Sequence, residues 1–287
     1  MPGETGETMK LVVTDLGADR GSGPIFEAIT FALRDGEGLL VTGPNGAGKS
    51  TLMKVLAGMY QPNEGRIMID RKPVVMRNPI EAKQNGIILI HQELSLAEQM
   101  TVAENVFLGE LPRTRWGFVD WKVLEERVGS ILAKLNCDFG PRTNVGSLSI
   151  AKKQMVEIAR ALTHHAKVVV FDEPTASLTD AEKVVLFDII NDLKSDGVSI
   201  VYISHRMEEI FTISDRITVL RDGSYRGTLV AADTTEDEVT QLMIGRSLDY
   251  SRNIEQGEIG DITLEVDGLS CGRLYSDVSF AVRAGEV

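Results

Sequence analysis

Cysteine is scarce in this chain: 287 residues carry only Cys137 and Cys271. The two are far apart, and neither has a Cys or His nearby at metal-ligand spacing, which excludes a disulfide framework and a zinc site as organising features. A reducing compartment is the expectation. Basic charge is also in short supply. Lys and Arg number 30 against 42 Asp and Glu, a formal net charge of −12, which argues against free nucleic acid or an anionic lipid surface as the primary partner. An anionic ligand must then be held by local geometry. Long apolar runs are missing as well: the most apolar stretches, residues 168–171 and 198–203, are four to six residues long, far short of the ~20 that span a bilayer as a helix. Any membrane role is therefore expected to be peripheral. Residues 1–9 are polar and rich in Gly and Glu, without the apolar centre of a secretory signal, and read as a flexible tail. No N-K-x-D guanine-reading motif occurs, which disfavours a GTPase switch.

What is present is an alternation of short β-rich runs with helical patterns: residues 38–42 then 49–56, 168–172 then 180–195, 198–204 then 207–213. Such an order predicts an α/β fold with a mostly parallel sheet and flanking helices. Thr179 with Glu182 reads as a capping box, Gly197 lies just past the end of the helix so begun, and Leu186, Ile190 and Leu193 share its apolar face. Residues 102–162 lose the β alternation, while Val123, Val128, Ile131, Leu132 and Leu135 keep helical spacing. A helical subdomain over about 93–165 is predicted. Past residues 217–220, Asp222-Gly223 signals a hairpin and so an antiparallel β portion, and Thr235 with Glu238 opens a last helix. The first domain is expected to run over 10–245.

The end of the chain repeats its beginning. Aligning Phe26 with Tyr275 sets Phe31, Ala32, Arg34, Gly36 and Glu37 against the identical Phe280, Ala281, Arg283, Gly285 and Glu286, and Leu11 and Leu16 pair similarly with Leu264 and Leu269. Residues 246–262 then read as a linker and 263–287 as the truncated start of a second copy.

The chemistry concentrates in a few segments. Gly43-Pro44-Asn45-Gly46-Ala47-Gly48-Lys49-Ser50-Thr51 satisfies G-x-x-x-x-G-K-[ST] between an apolar strand and a helix. Glycines let backbone N–H groups converge on phosphates, and the helix N-terminus adds positive potential. Lys49 is expected to reach the β- and γ-phosphates and the Ser50 hydroxyl to ligate Mg²⁺. Residues 168–171 lead into Asp172 and Glu173, two acids at a strand's C-terminal edge, where burial is costly unless a metal or substrate uses them. Asp172 suits the Mg²⁺ shell and Glu173 the polarisation of an attacking water. His205 ends the apolar run 198–204 and is placed to touch the γ-phosphate; Gln92 follows 87–91 in the same way and offers an amide to metal or water. The loop 17–24 supplies no aromatic to stack on adenine, and Phe26, the nearest, reads as core.

In this order the motifs resemble those of the ABC-transporter ATPases over residues 10–245: the phosphate loop, Gln92, Asp172-Glu173, Ser177-Leu178-Thr179 and His205. Ile90-His91-Gln92-Glu93-Leu94, Thr101-Val102-Ala103-Glu104-Asn105, Gln154-Met155-Val156-Glu157-Ile158-Ala159 and Tyr202-Ile203-Ser204-His205-Arg206-Met207 look like the monosaccharide-importer group, for ribose, xylose and galactose. The resemblance implies a P-loop NTPase fold of the ABC-ATPase type, MgATP hydrolysis with Glu173 and His205 as catalytic residues, and two ATPase domains in one full-length chain. It also implies membrane permease subunits as partners, a periplasmic or extracellular sugar-binding protein as an indirect one, no nucleic acid, and a peripheral location on the cytoplasmic face of the membrane. In this family ATP lies between two domains, and each domain's signature segment completes the other's site. The signature position here reads Leu148-Ser149-Ile150-Ala151-Lys152, where the usual pattern is L-S-G-G-Q. Ser149 can still cap the following helix. The alternative is a soluble tandem ATPase of translation or DNA repair. The short segment before the second copy and the lack of a sustained heptad run disfavour it.

Overall fold

The computed structural model of the chain describes residues 9–19, 21, 23–91, 95–163, 166–176, 178–245, 260–272 and 275–285. These fall into two compact units, Met1–Gly245 and Arg246–Val287.

The first unit begins with two long antiparallel strands, β1 (Met9–Asp19) and β2 (Pro24–Arg34). β3 (Gly38–Thr42), buried along its whole length, leads through a glycine-rich turn into α1 (Lys49–Leu56). β4 (Glu64–Ile69) and β5 (Lys72–Val74) extend the antiparallel arm, followed by α2 (Pro79–Gln84) and β6 (Ile87–Ile90). The stretch 102–162 holds α3 (Val102–Val106), α4 (Trp121–Lys134) and α5 (Ile150–Leu162), with no named strand among its described residues. Then come β7 (Val168–Asp172), α6 (Asp180–Ser195), β8 (Ser199–Ile203), α7 (Met207–Ile213), β9 (Arg216–Arg221), β10 (Ser224–Val230) and α8 (Glu236–Ile244). Among the described residues no helix is long and apolar enough to cross a membrane.

The ten strands form one mixed sheet in the order β5-β4-β1-β2-β10-β9-β3-β8-β7-β6. β9, β3, β8, β7 and β6 run parallel, and β9–β10 and the arm β5-β4-β1-β2 are antiparallel. The arm contributes more antiparallel structure than the single hairpin signal at Asp222-Gly223 announces. β4 and β5 are short and β1 shifts register against both its neighbours, so these strands carry no equally sharp local signature.

Alternation along the parallel strands decides which face each residue covers. Leu39, Val41, Val168, Val170, Val201 and Ile203 pack with Leu52, Met53 and Leu56 of α1 and with the arm. Leu40, Val169, Phe171, Ile200 and Tyr202 pack on the other side with α5, α6, α7 and the helical segment. Both faces are covered, which is why these strands read as continuous apolar runs. The expected caps are in place: Thr179 with Glu182 and Thr235 with Glu238 form capping boxes, as does Thr101 with Glu104. Asp222 and Gly223 both take positive φ, 52° and 68°, the backbone a two-residue hairpin turn requires.

The second unit is an antiparallel hairpin, β11 (Ile262–Cys271) and β12 (Tyr275–Arg283). It reproduces the register of β1–β2. Val13 pairs with Phe31 as Val266 pairs with Phe280, Leu16 with Ile29 as Leu269 with Val278, and Ala18 with Phe26 as Cys271 with Tyr275. Even the unusual backbone repeats: Ala28 and its counterpart Asp277 have φ of 51° and 57°.

The centre of the sheet sets the stability of the first unit. Replacing Leu40, fully buried in β3, by Ala is expected to cost about 2–5 kcal/mol in chemical unfolding. The same change at Val75, 69% exposed, is expected to stay within about 0.5 kcal/mol.

Candidate functional site

The parallel register brings the C-terminal ends of β3, β7 and β8 side by side. Val41 lies beside Ile203, and Asp172 beside Ile203 from the opposite side. Thr42 Oγ1 donates to the Ser204 carbonyl at 3.0 Å and ties the ends of β3 and β8 together. The glycine-rich turn leaves this edge at Gly43, whose φ is 152° and where a Cβ would stand 2.0 Å from the Leu220 carbonyl oxygen. Only glycine fits there. Gly48 caps α1 in the left-handed region, φ 92°, so the strap turns sharply into a helix whose first amides lack helical partners.

Lys49, 7% exposed, lies under the strap. Its Nζ donates to the carbonyls of Gly43 at 2.7 Å and Pro44 at 3.0 Å. Burial pushes the Lys49 pKa down, opposed by the nearby charges of Glu173 and Asp172. From the other side of the chain, the Ser50 hydroxyl donates to Asp172 Oδ1 at 3.4 Å across 122 residues of sequence. A cavity of about 260 Å³ opens here, lined by Ile25, residues 45–51 and Glu173. Ser50 and Glu173 thus line one mouth, and Asp172 joins them through the Ser50 hydroxyl. Hard oxygen donors of this kind, few in number, suit Mg²⁺, which keeps several waters and takes further oxygens from a bound phosphate.

Glu173 takes φ 47°, a strained region for a residue that is neither Gly nor Asn. Its N–H donates to the Ile203 carbonyl at 3.2 Å, and its Oε1 lies 3.1 Å from His205 Nδ1. His205 is the more open of the two, 57% exposed at the side chain against 26%. The structure therefore gathers the phosphate-loop residues, Asp172, Glu173 and His205 at one sheet edge. Gln92 and Ser177 lie outside the described residues. The segment Leu148-Ser149-Ile150-Ala151-Lys152 lies at the start of α5. Ser149 caps that helix by accepting from Lys152 N at 3.4 Å, Ile150 is 47% exposed, and Lys152 pairs with Asp138 at 2.7 Å. Ser149, Ala151 and Lys152 border a separate cavity with Cys137 and Met155, whose described lining includes none of the phosphate-loop residues.

Several residues at this edge carry no sequence motif. Ile25 lines the loop cavity, whereas Phe26 beside it is 1% exposed and belongs to the core. Glu209 is buried in α7 and bonded to Thr175, Tyr202 and Ser204, and buried Gln154 donates to the Pro174 carbonyl. For Glu209 and Gln154 the hint in the sequence is a polar residue among apolar ones on a helix; Ile25 has none.

Desolvation raises the Asp172 pKa above its ordinary 3.8, the adjacent Glu173 charge adds to the rise, and the Ser50 hydroxyl offsets part of it. A carboxyl raised in the folded state carries no penalty while protonated in both states; the loss of stability accrues as pH climbs from the unfolded value to the folded one and is complete above it. Asp172→Asn is therefore expected to raise the thermal unfolding temperature of the nucleotide-free chain at pH 7. The gain should shrink as pH is lowered toward 4, and scanning calorimetry at the two pH values checks it.

The family described as ABC transporter matches residues 26–176. A ribose/galactose/methyl galactoside import ATP-binding protein of Agrobacterium fabrum is 45% identical over 259 residues, 90% of this chain and 50% of that protein. The ribose import ATP-binding protein of Geobacillus kaustophilus is 46% identical over 268 residues, 93% of this chain and 54% of that protein. The chain spans about half the length of the curated relatives it matches. Among solved structures, a nucleotide-free ATP-binding cassette from an ABC transporter superposes with TM-score 0.71 at 25% identity, covering 83% of this chain and 96% of that one. The ADP conformation of an ATP-binding cassette of an ABC transporter gives 0.71 at 26% identity, covering 82% and 95%. With the family matching more than half of its length, from residue 26 to residue 176, this chain belongs to the ABC transporter family.

Proposed function

We propose that this chain binds and hydrolyses MgATP and thereby drives a membrane permease that imports a monosaccharide. The observation that carries the reading is the convergence of Ser50 and Asp172, 3.4 Å apart, with the Glu173–His205 contact at 3.1 Å on the same sheet edge. The amides of the strap and the N-terminus of α1 receive the phosphates. Lys49 leaves the Gly43 and Pro44 carbonyls for the β- and γ-phosphates, exchanging neutral acceptors for anionic ones. Ser50 and Asp172, with Gln92 added, would hold Mg²⁺, which would supply charge neutralisation at the phosphate oxygens. Glu173 accepts a proton from the attacking water as the bond from the γ-phosphorus to its bridging oxygen breaks and ADP leaves. His205 orients Glu173 and faces the γ-phosphate.

Ser149 and the N-terminus of α5 serve a second ATPase domain in trans. The hairpin β11–β12, which repeats β1–β2 in register, supports such a domain in the full-length protein. Permease contact is assigned to residues 92–109, which run from Gln92 past the capped start of α3. The sugar-binding protein acts only indirectly, and the chain works at the cytoplasmic face of the membrane. Relatives named for sugar import support this reading over one in translation or DNA repair.

Three outcomes follow. Lys49→Ala should weaken ATP binding about 10- to 100-fold in equilibrium titration, the loss expected of charge-assisted bonds. Glu173→Gln should keep nucleotide and lose about 100-fold or more of the chain's hydrolysis rate; unchanged turnover removes Glu173 as the base. Photocrosslinkers placed through residues 92–109 should capture permease subunits in membranes, and a scan that captures none overturns the coupling assignment.

A further inference from the structure

Glu209 stands in the first turn of α7 at 3% exposure. A carboxylate so enclosed is costly unless its oxygens are fully used, and here both are. Oε1 accepts from Thr175 Oγ1 at 2.7 Å, and Oε2 accepts from Ser204 Oγ at 2.7 Å and Tyr202 OH at 3.2 Å. Arg206 Nε lies 3.8 Å from Oε1 on the solvent side. Burial first, and the Glu209 charge second, push the Tyr202 phenol up, so it remains a donor.

The donors come from two different strand ends. Thr175 lies two residues after Glu173, and Ser204 immediately precedes His205. One carboxylate therefore bridges the turn that carries Glu173 to the turn that carries His205. Gln154 of α5 fixes the intervening Pro174 through its carbonyl, and Thr42 holds the Ser204 carbonyl from β3. Strained backbone persists only where its surroundings over-determine it, and Glu173 at φ 47° is flanked by these anchors. Packing alone would be met by an apolar side chain at position 209. A carboxylate that collects three hydroxyls from two strand ends answers a geometric need instead.

We propose that Glu209 is a positioning residue, a buried clamp that sets the Glu173–His205 contact. The proposal rests on the reading of those two residues as the hydrolytic pair. It is tested in the chain with Glu209→Gln, which keeps the shape but removes one acceptor, and with Thr175→Val, which deletes one hydroxyl and is the milder probe. The readouts are the ring ¹⁵N signals of His205, kcat and KM for ATP, and thermal unfolding. Glu209→Gln should move the His205 signals toward those of Glu173→Gln. It should lower kcat roughly 10- to 100-fold, the effect of a small misplacement of reacting groups, with KM within about twofold. Thr175→Val should act in the same direction to a smaller degree. Added to Glu173→Gln, the Glu209 change should lower kcat no further, because the clamp acts through that residue. Unmoved His205 signals with unaltered kcat in both variants, or a loss of thermal stability alone, overturns the clamp. If the parent chain turns over no ATP, the functional reading falls while the His205 signals still decide the clamp.

Discussion

The register between β3, β8 and β7 is the constraint on which the site depends. Hydrogen bonding pairs Val41 with Ile203 and Asp172 with Ile203, so the glycine-rich turn, the acid pair and His205 leave the sheet at one level. A slip of one residue would exchange the two faces of a strand. Val168 and Val170 would then meet the helical side and Val169 and Phe171 the side of α1. Both faces are dry and differently shaped, one packed against α1 and the arm, the other against α5, α6 and α7. The hydrophobic core thus enforces the alignment that the polar edge uses.

That edge is assembled against local preference. Lys49 is buried and its pKa pushed down, Asp172 is half-buried and its pKa pushed up, and Glu173 takes a backbone conformation that suits glycine better. Each departs from what an isolated segment would choose, and together they mark this edge as a candidate site rather than a source of stability. The ties that hold them are buried hydrogen bonds from neighbouring elements: Thr42 to Ser204, Gln154 to Pro174, and the Glu209 cluster. The sheet supplies coarse position and these side chains the last ångström.

The start and the body of α5 make different contacts. The start of α5 is capped by Ser149 and presents an exposed Ile150 well apart in lining from the phosphate loop. The body of the same helix buries Met155, Val156 and Ile158 in the core and sends Gln154 to the turn after Glu173.

Much of this could be read from the sequence. The strap at residues 43–51 follows from glycine spacing, because positive φ and close backbone approach leave few substitutes. The parallel strands follow from short apolar runs, and the capping boxes at Thr179 and Thr235 and the turn at Asp222-Gly223 from short-range hydrogen bonding and backbone strain. These are local or periodic signals. Glu209, Gln154, Thr175 and Ile25 were not legible, nor was the extent of the antiparallel arm. Their meaning lies in partners up to 34 residues away for Glu209 and in pairings such as that of Ser224 with Glu27. Sequence alone singled out the glycine-rich loop, the acid pair and the strand-end histidine as candidates; tertiary structure decided how they are held, because a buried hydrogen bond between distant segments leaves no pattern in either one.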